Sequence, residues 1–285
     1  MSSDLIRALN NNSSKKKFPD EKPYLSIPLD AICRLSAELN LSVQQIEIVA
    51  LENNIVPEHY ARNMRFFSVN DQIALLDSHI GVVGLGGLGG AVTEILARMG
   101  IGRLTLIDGD EFEESNLNRQ FLSRSDLLGV SKAQAAKQRV NLLNPSIACD
   151  AHAQYIDESN AIDLLTDPDV IVDCLDNIKT RFIVGRAAKQ MGIPFIFAAV
   201  AGFSGQITTI FPEDPGLRQI FGASEENRSA KGAEASIGTL SPIVTTLASL
   251  ECAEVVKIII GRGTPLRNQL FIVDLMDNTF EIISL

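Results

Sequence analysis

Four glycines within six residues, Gly84, Gly86, Gly87 and Gly89, are the first feature of this 285-residue chain that could do chemistry. They follow a short apolar run, His79 to Val83, and open a helical pattern from Gly87 to Met99. In that setting Gly84 allows a tight turn, Gly86 or Gly87 lets backbone approach a phosphate, and Gly89 lets helix and strand pack closely. The N–H groups at the helix start then face the anion. Asp108 ends the next apolar run, Leu104 to Ile107, where a carboxylate can accept a hydrogen bond from a ribose hydroxyl. These residues alone would serve a nicotinamide, a flavin or an adenine nucleotide.

The residues after Asp108 narrow the choice. Asp110, Ser115, Asn116, Leu117, Asn118, Arg119 and Gln120 crowd an arginine and several amides beside the expected nucleotide. A triphosphate needs such cations and directional donors, and a dinucleotide does not. Lys132 stands at the start of the next helical pattern, close enough to join them. Asp176 and Asn177 follow the apolar run Val170 to Cys174, at the strand end where open α/β sheets bind ligands. Asp176 suits Mg²⁺, since a hard cation on phosphates takes carboxylate oxygen. Taken singly, Arg119 reads as a surface ion pair, Lys132 as a solvated helix residue and Asp176 as a helix cap. Their occurrence together, in this order, favours a site.

The elements that must position these residues alternate. Beyond the runs already named, strands are predicted at Phe195 to Val200, Gln206 to Phe211, Leu270 to Val273 and Phe280 to Ile283, and helices at Lys132 to Leu143, Thr180 to Met191 and Pro242 to Gly261. Alternating strands and helices give a parallel sheet covered on both faces. The last four strands have less helix between them, so the C-terminal half is predicted to be mixed or antiparallel. The fold class is therefore α/β, a Rossmann-like doubly wound sheet. Residues 61 to 285 form this domain. Residues 213 to 236, rich in Glu, Gly, Ser and Ala, form a connection long enough to be functional or mobile.

Residues 1 to 24, with Asn10 to Lys17 wholly polar, are expected to be a flexible tail. Residues 25 to 60 carry two helical periodicities and read as a small helical appendage. One runs through Ile32, Leu35 and Leu39; the other enters at Ser42. Two such helices could read DNA, but the segment is mildly acidic and the chain carries a net charge of −10, which argues against DNA. The apolar stretches are interrupted by glycine or by charges such as Glu251, Glu254 and Lys257, so a membrane span is not expected. Four scattered cysteines, Cys33, Cys149, Cys174 and Cys252, suit a reduced cytoplasm. With no Cys-x-x-Cys and three histidines, zinc is not expected.

From about Arg62 to Gly261 the chain resembles the ThiF/MoeB/HesA group of the ubiquitin-activating-enzyme superfamily. The resemblance rests on the glycine turn, Asp108-x-Asp110, Ser115-Asn116-x-x-Arg119-Gln120, Lys132, Asp176-Asn177 and Gly205-Gln206. It implies a homodimer that uses ATP to adenylate the C-terminus of a small ubiquitin-fold sulfur carrier ending in Gly-Gly. It implies ATP contacts from Gly87, Asp108, residues 115 to 119, Lys132, Asp176 and Asn177. Arg65 matches an arginine that crosses into the partner subunit's site. On this reading the carboxylate attacks the α-phosphorus and pyrophosphate leaves, with neutralisation by Mg²⁺, Arg65, Arg119 and Lys132.

Two departures stand beside the matches. Where many members carry a zinc-binding Cys-x-x-Cys, this chain reads Pro215-Gly216-Leu217-Arg218-Gln219. Where members that transfer onto a loop cysteine carry it, this chain reads Gly232-Ala233-Glu234-Ala235-Ser236. Adenylation of a small-molecule or tRNA-base carboxylate and a non-catalytic nucleotide-binding scaffold are the alternative functions. The acidic charge speaks against tRNA, and the retained Arg65, Arg119, Lys132 and Asp176 against a scaffold.

Overall fold

The structure, a computed structural model, describes residues 3–222 and 234–285. Its N-terminal part departs from the expected tail. Helix α1 (Ser3–Asn11) buries Leu5 and Leu9, spaced i, i+4 on one face. They join a cluster with Ile32 and Leu35 of α2 (Leu29–Leu39) and Ile46 and Val49 of α3 (Val43–Glu52). The lysines form β1 (Ser14–Lys17), an exposed edge strand antiparallel to β2 (Pro23–Ile27), which pairs in parallel with β3 (Ile55–Pro57). Residues 1 to 24 are thus not loose where described, because two buried leucines and one hairpin anchor them. The appendage is correspondingly mixed α/β and not simply helical. Ser42 starts α3 through a capping box with Gln45, as its position predicts. Leu39, expected on the buried stripe, is exposed.

The main sheet has eight strands in the order β11-β10-β9-β8-β7-β4-β5-β6. Strands β4 (His79–Val83), β5 (Arg103–Ile107), β6 (Ala148–His152), β7 (Val170–Asp173) and β8 (Phe195–Ala201) run parallel. Strands β9 (Ser204–Ile210), β10 (Gln269–Asp274) and β11 (Thr279–Ser284) continue antiparallel. Mixed topology thus begins after β8, as the helix-poor C-terminal half predicts. The inner strands are apolar on both faces: Val170 and Val172 enter one core cluster and Ile171 the other. Val140 of α6 (Lys132–Leu143) and Val244 of α11 (Ser241–Ile260) lie in the first, with Leu88 of α5 (Gly87–Met99). Leu164 of α7 (Ala161–Leu164) and Phe182 of α8 (Ile178–Met191) lie in the second.

Sequence reading overlooks β6, Ala-Cys-Asp-Ala-His, because an outer edge strand with one buried side chain shows no apolar run. In the connection from 213 to 236, α9 (Arg218–Phe221) and the start of α10 (Glu234–Ile237) are formed; residues 223 to 233 lie outside the described residues. Tyr60 ties the two parts together. Its ring is fully buried and its hydroxyl accepts from Asn144 Nδ2 at 2.7 Å.

Candidate active site

Strand β4 lies between β5 and β7, so the chain leaves it toward one side of the sheet and later returns to the other. The crevice at that switch point is where the glycine turn sits. Gly84 has φ +87°, and a Cβ there would meet Cys174 O at 2.7 Å. A Cβ on Gly89 would lie 1.7 Å from Gly84 O, so helix α5 can pack on the turn only with glycine there. Gly86 caps α5 without any side-chain hydrogen bond, which leaves the first N–H groups of the helix for an anion.

Asp108 braces this turn. Its Oδ2 accepts from Leu85 N at 2.6 Å and its Oδ1 from Asp110 N at 2.8 Å. Burial pushes its carboxyl up, against the pull of those N–H groups and of Lys132. Asp110 Oδ2 accepts from Lys132 Nζ at 3.0 Å and its Oδ1 from the Tyr155 hydroxyl at 2.6 Å. Burial opposes the Asp110 charge, but these two donors hold the carboxyl below its ordinary value. The Lys132 side chain is only 8% exposed, yet it borders the cleft. Arg119 Nη1 donates to Ser115 O at 2.8 Å and to Asn118 Oδ1 at 3.0 Å. Both acceptors are neutral, and among the described residues no carboxylate pairs with Arg119.

Past the end of β7, Asp176 reaches the same cleft, and Asn177 caps α8 by accepting from Thr180 N at 3.1 Å. The cleft measures about 370 Å³. Gly84, Gly86 and Gly87 border it together with Asp108, Asp110, Arg119, Lys132, Asp176 and Asn177. A second cavity of about 260 Å³ adjoins it; Asp176, Arg181 and Val200 border both. Small residues, among them Ala199, Ala201 and Gly205, line this second space.

Five residues expected at the nucleotide do not border the cleft. Ser115, Asn116, Leu117 and Asn118 build the turn that carries Arg119. Asn116 is buried, its Oδ1 accepts from Glu113 N at 3.0 Å, and Leu117 points to solvent. Ser115 O and Asn118 Oδ1 accept from Arg119, and none of the four side chains lines the cavity. Gly89 lies beneath the turn, where the sequence places its packing role. Arg65 is also outside its own chain's cleft: it pairs with Asp20, and its guanidinium lies 5.0 Å from the centre of the Phe18 ring. Three residues that sequence reasoning passes over, Gln154, Tyr155 and Ile156, line the cleft just after the overlooked β6. Gly109 was the available signal, since its missing Cβ makes room for the Tyr155 ring, 2.7 Å from that position. Gln120 and Arg181 also border the cleft.

Cys174 and Cys252 are buried, and burial pushes both thiols far up, so neither is poised as a thiolate. Among the described residues no group of three or more His, Cys, Asp or Glu side chains is gathered that could hold a metal ion. Among those residues, too, no helix is long and apolar enough to cross a membrane.

A parallel-rich mixed α/β sheet with a glycine turn at its switch point defines the Rossmann-like class of fold. The ThiF family matches residues 60–285, and the chain belongs to that family. Its activity class is that of the adenylyltransferases. It is 33% identical over 228 residues to the SAMP-activating enzyme E1 of Haloferax volcanii, covering 79% of this chain and 84% of that one. To the sulfur carrier protein adenylyltransferase of Thermus thermophilus it is 34% identical over 205 residues, 70% of this chain and 75% of that one. With the adenylyltransferase and sulfurtransferase MOCS3 of Sus scrofa it shares 34% over 228 residues, 76% of this chain but 48% of the longer protein. Among solved structures, E. coli MccB with ATP superposes with TM-score 0.69 at 24% identity, covering 85% of this chain and 78% of that one. PaaA superposes with TM-score 0.66 at 24% identity, covering 80% and 82%. These two likenesses concern the fold.

Proposed function

We propose that this protein uses ATP to adenylate the C-terminal carboxylate of a small ubiquitin-fold sulfur carrier ending in Gly-Gly, releasing pyrophosphate. The observation that carries this reading is the cleft that joins a capless helix N-terminus, Lys132 and Arg119, which no carboxylate among the described residues pairs with, to Asp176, beside a second cavity lined in part by Ala199, Ala201 and Gly205. The relatives named for SAMP activation and for sulfur carrier adenylylation support a carrier as substrate.

In the reaction a carboxylate oxygen attacks the α-phosphorus, and the bond to the bridging oxygen of pyrophosphate breaks. No side-chain nucleophile is needed. The glycine turn and Lys132 hold the phosphates, Arg119 meets the charge that grows on the leaving pyrophosphate, and Asp108 takes the ribose. On this reading the carrier's C-terminal tail enters by the second cavity, which meets the cleft at Asp176. Asp176 is the residue that would hold Mg²⁺, which when bound supplies further neutralisation of phosphate charge. Arg65 does not border its own cleft, which favours its service to the site of a second copy and hence a homodimer. The unpaired cysteines suit a cytoplasmic setting.

Purified protein, ATP, Mg²⁺ and labelled pyrophosphate test the proposal. Exchange should require a ubiquitin-fold carrier with its terminal Gly-Gly intact. Asp176→Ala should abolish it, and Arg119→Ala should lower it about a hundred-fold or more. Exchange driven by a small carboxylate and by no carrier would overturn the substrate assignment.

A further inference from the structure

Arg181 is a cation that the proposed chemistry does not use, and its side chain is only 6% exposed. It stands in the first turn of α8 and folds back beneath the loop that carries Asp176. One guanidinium nitrogen donates to Ala198 O of β8 at 2.7 Å and lies 3.4 Å from Asp173 Oδ2 at the end of β7. The other donates to Leu175 O. The guanidinium also lies 4.9 Å from the centre of the Phe197 ring.

Asp173 completes the arrangement, because its Oδ1 accepts from Leu175 N at 3.0 Å. Leu175 is therefore gripped at both its N–H and its C=O, one by Asp173 and the other by Arg181. The next residue is Asp176. A buried ion pair contributes little net stability once desolvation is counted, so stability alone is a weak reason for this one. Its hydrogen bonds converge on the backbone at the wall shared by the two cavities.

We infer that Arg181, with Asp173, is a positioning residue that fixes Asp176 at the junction of the nucleotide cleft and the second cavity. The inference rests on the proposed role of Asp176 in adenylation. A lysine keeps the charge but cannot reach Leu175 O and Ala198 O with one planar fork. Loosening the loop displaces the Asp176 carboxylate without removing any group that cradles the triphosphate.

The test compares wild type, Arg181→Lys and Asp176→Ala by pyrophosphate exchange and by amide hydrogen exchange of the substrate-free protein. For Arg181→Lys, kcat should fall about a hundred-fold while KM for ATP stays within about two-fold. The Mg²⁺ concentration for half-maximal exchange should rise. Amides of residues 175 to 177 should exchange about ten-fold faster, with those of β5 and α6 unchanged. If kcat and the 175 to 177 amides match wild type while Asp176→Ala is inactive, the inference is overturned. A uniform acceleration across the core, with no selective rise at 175 to 177, overturns it as well and leaves Arg181 a packing residue. Asp176→Ala with wild-type exchange would instead defeat the role proposed for Asp176. Should Arg181→Lys fail to fold, Asp173→Asn decides: faster amide exchange at 175 to 177 with lowered kcat supports the inference, and wild-type values of both overturn it.

Discussion

Glu251 and Asp173 are both fully shielded from solvent, and the cation that acts on both is Arg181. Burial pushes Asp173 up to about 6 and Glu251 well above its ordinary value, the latter helped by the charge of Asp173. Among the described residues Glu251 Oε2 has no hydrogen-bond partner, so no donor there stabilises its charged form. A carboxyl raised on folding contributes most below its unfolded pKa and loses that contribution as pH climbs toward its folded value. Glu251→Gln removes the titration at nearly constant shape. Its stability relative to wild type should therefore improve as pH rises from 5 to 8, by up to about 1.4 kcal/mol per pH unit while Glu251 stays protonated. Parallel thermal melts across that range check the sign; a constant difference would show that Glu251 is already ionised. The raised thiols lead to a second expectation. Cys174→Ala and Cys252→Ala should cost stability through lost packing, yet variants that remain folded should form adenylate at wild-type rates in a single-turnover assay.

Among the elements, the turn from β4 into α5 leaves the least room for substitution. A Cβ on Gly89 would overlap Gly84 O, which the backbone can relieve only by lifting α5 off the turn. Gly89→Ala should lose about 3 kcal/mol or more in urea unfolding and with it measurable ATP binding. A variant as stable as wild type would mean that the helix has room to shift. This turn was readable from spacing alone, because glycine is the residue type that such an approach demands. The apolar strands β4 and β7 and the helix α6 were readable for a similar reason: each carries its own periodicity or unbroken run. Strand β6 and helix α1 were not. The stability of each comes from neighbours far along the chain, β5 in one case and α2 and α3 in the other. Overlooking β6 also hid Tyr155, whose place in the cleft depends on where that strand ends.

At the scale of the whole molecule, the position of Arg65 makes the strongest demand. It sits on the N-terminal side of the adenylation domain, held by Asp20 and stacked near Phe18, and it does not border its own cleft. If it serves a partner's site, mixing the inactive variants Arg65→Ala and Asp176→Ala restores activity, because each mixed dimer holds one site with both residues intact. About half the per-site activity should return in that species. Absence of recovery despite demonstrated subunit exchange would rule out the trans arrangement and leave the adenylation chemistry standing. Metal content is a separate expectation: without paired cysteines, the purified protein should hold well under one zinc per chain by elemental analysis.

The class of fold and the glycine turn were legible in the sequence because a tight turn and a strand end make local demands on residue type. Asp108, Arg119, Lys132 and Asp176, by contrast, stood out only through their joint order, and the structure brings all four to one cleft. That none of the residues from Ser115 to Asn118 borders the cleft emerged from the tertiary structure alone. A side chain's choice between a ligand and its own backbone depends on the closed turn and not on residue type. It also decided that polar residues 3 to 17 are built into a module, since two leucines suffice when α2 and α3 supply the other side of the core. The grip of Arg181 and Asp173 on Leu175 was invisible for the same reason. It joins the end of β7 and the middle of β8 to the first turn of α8, and that proximity exists only once the sheet has formed.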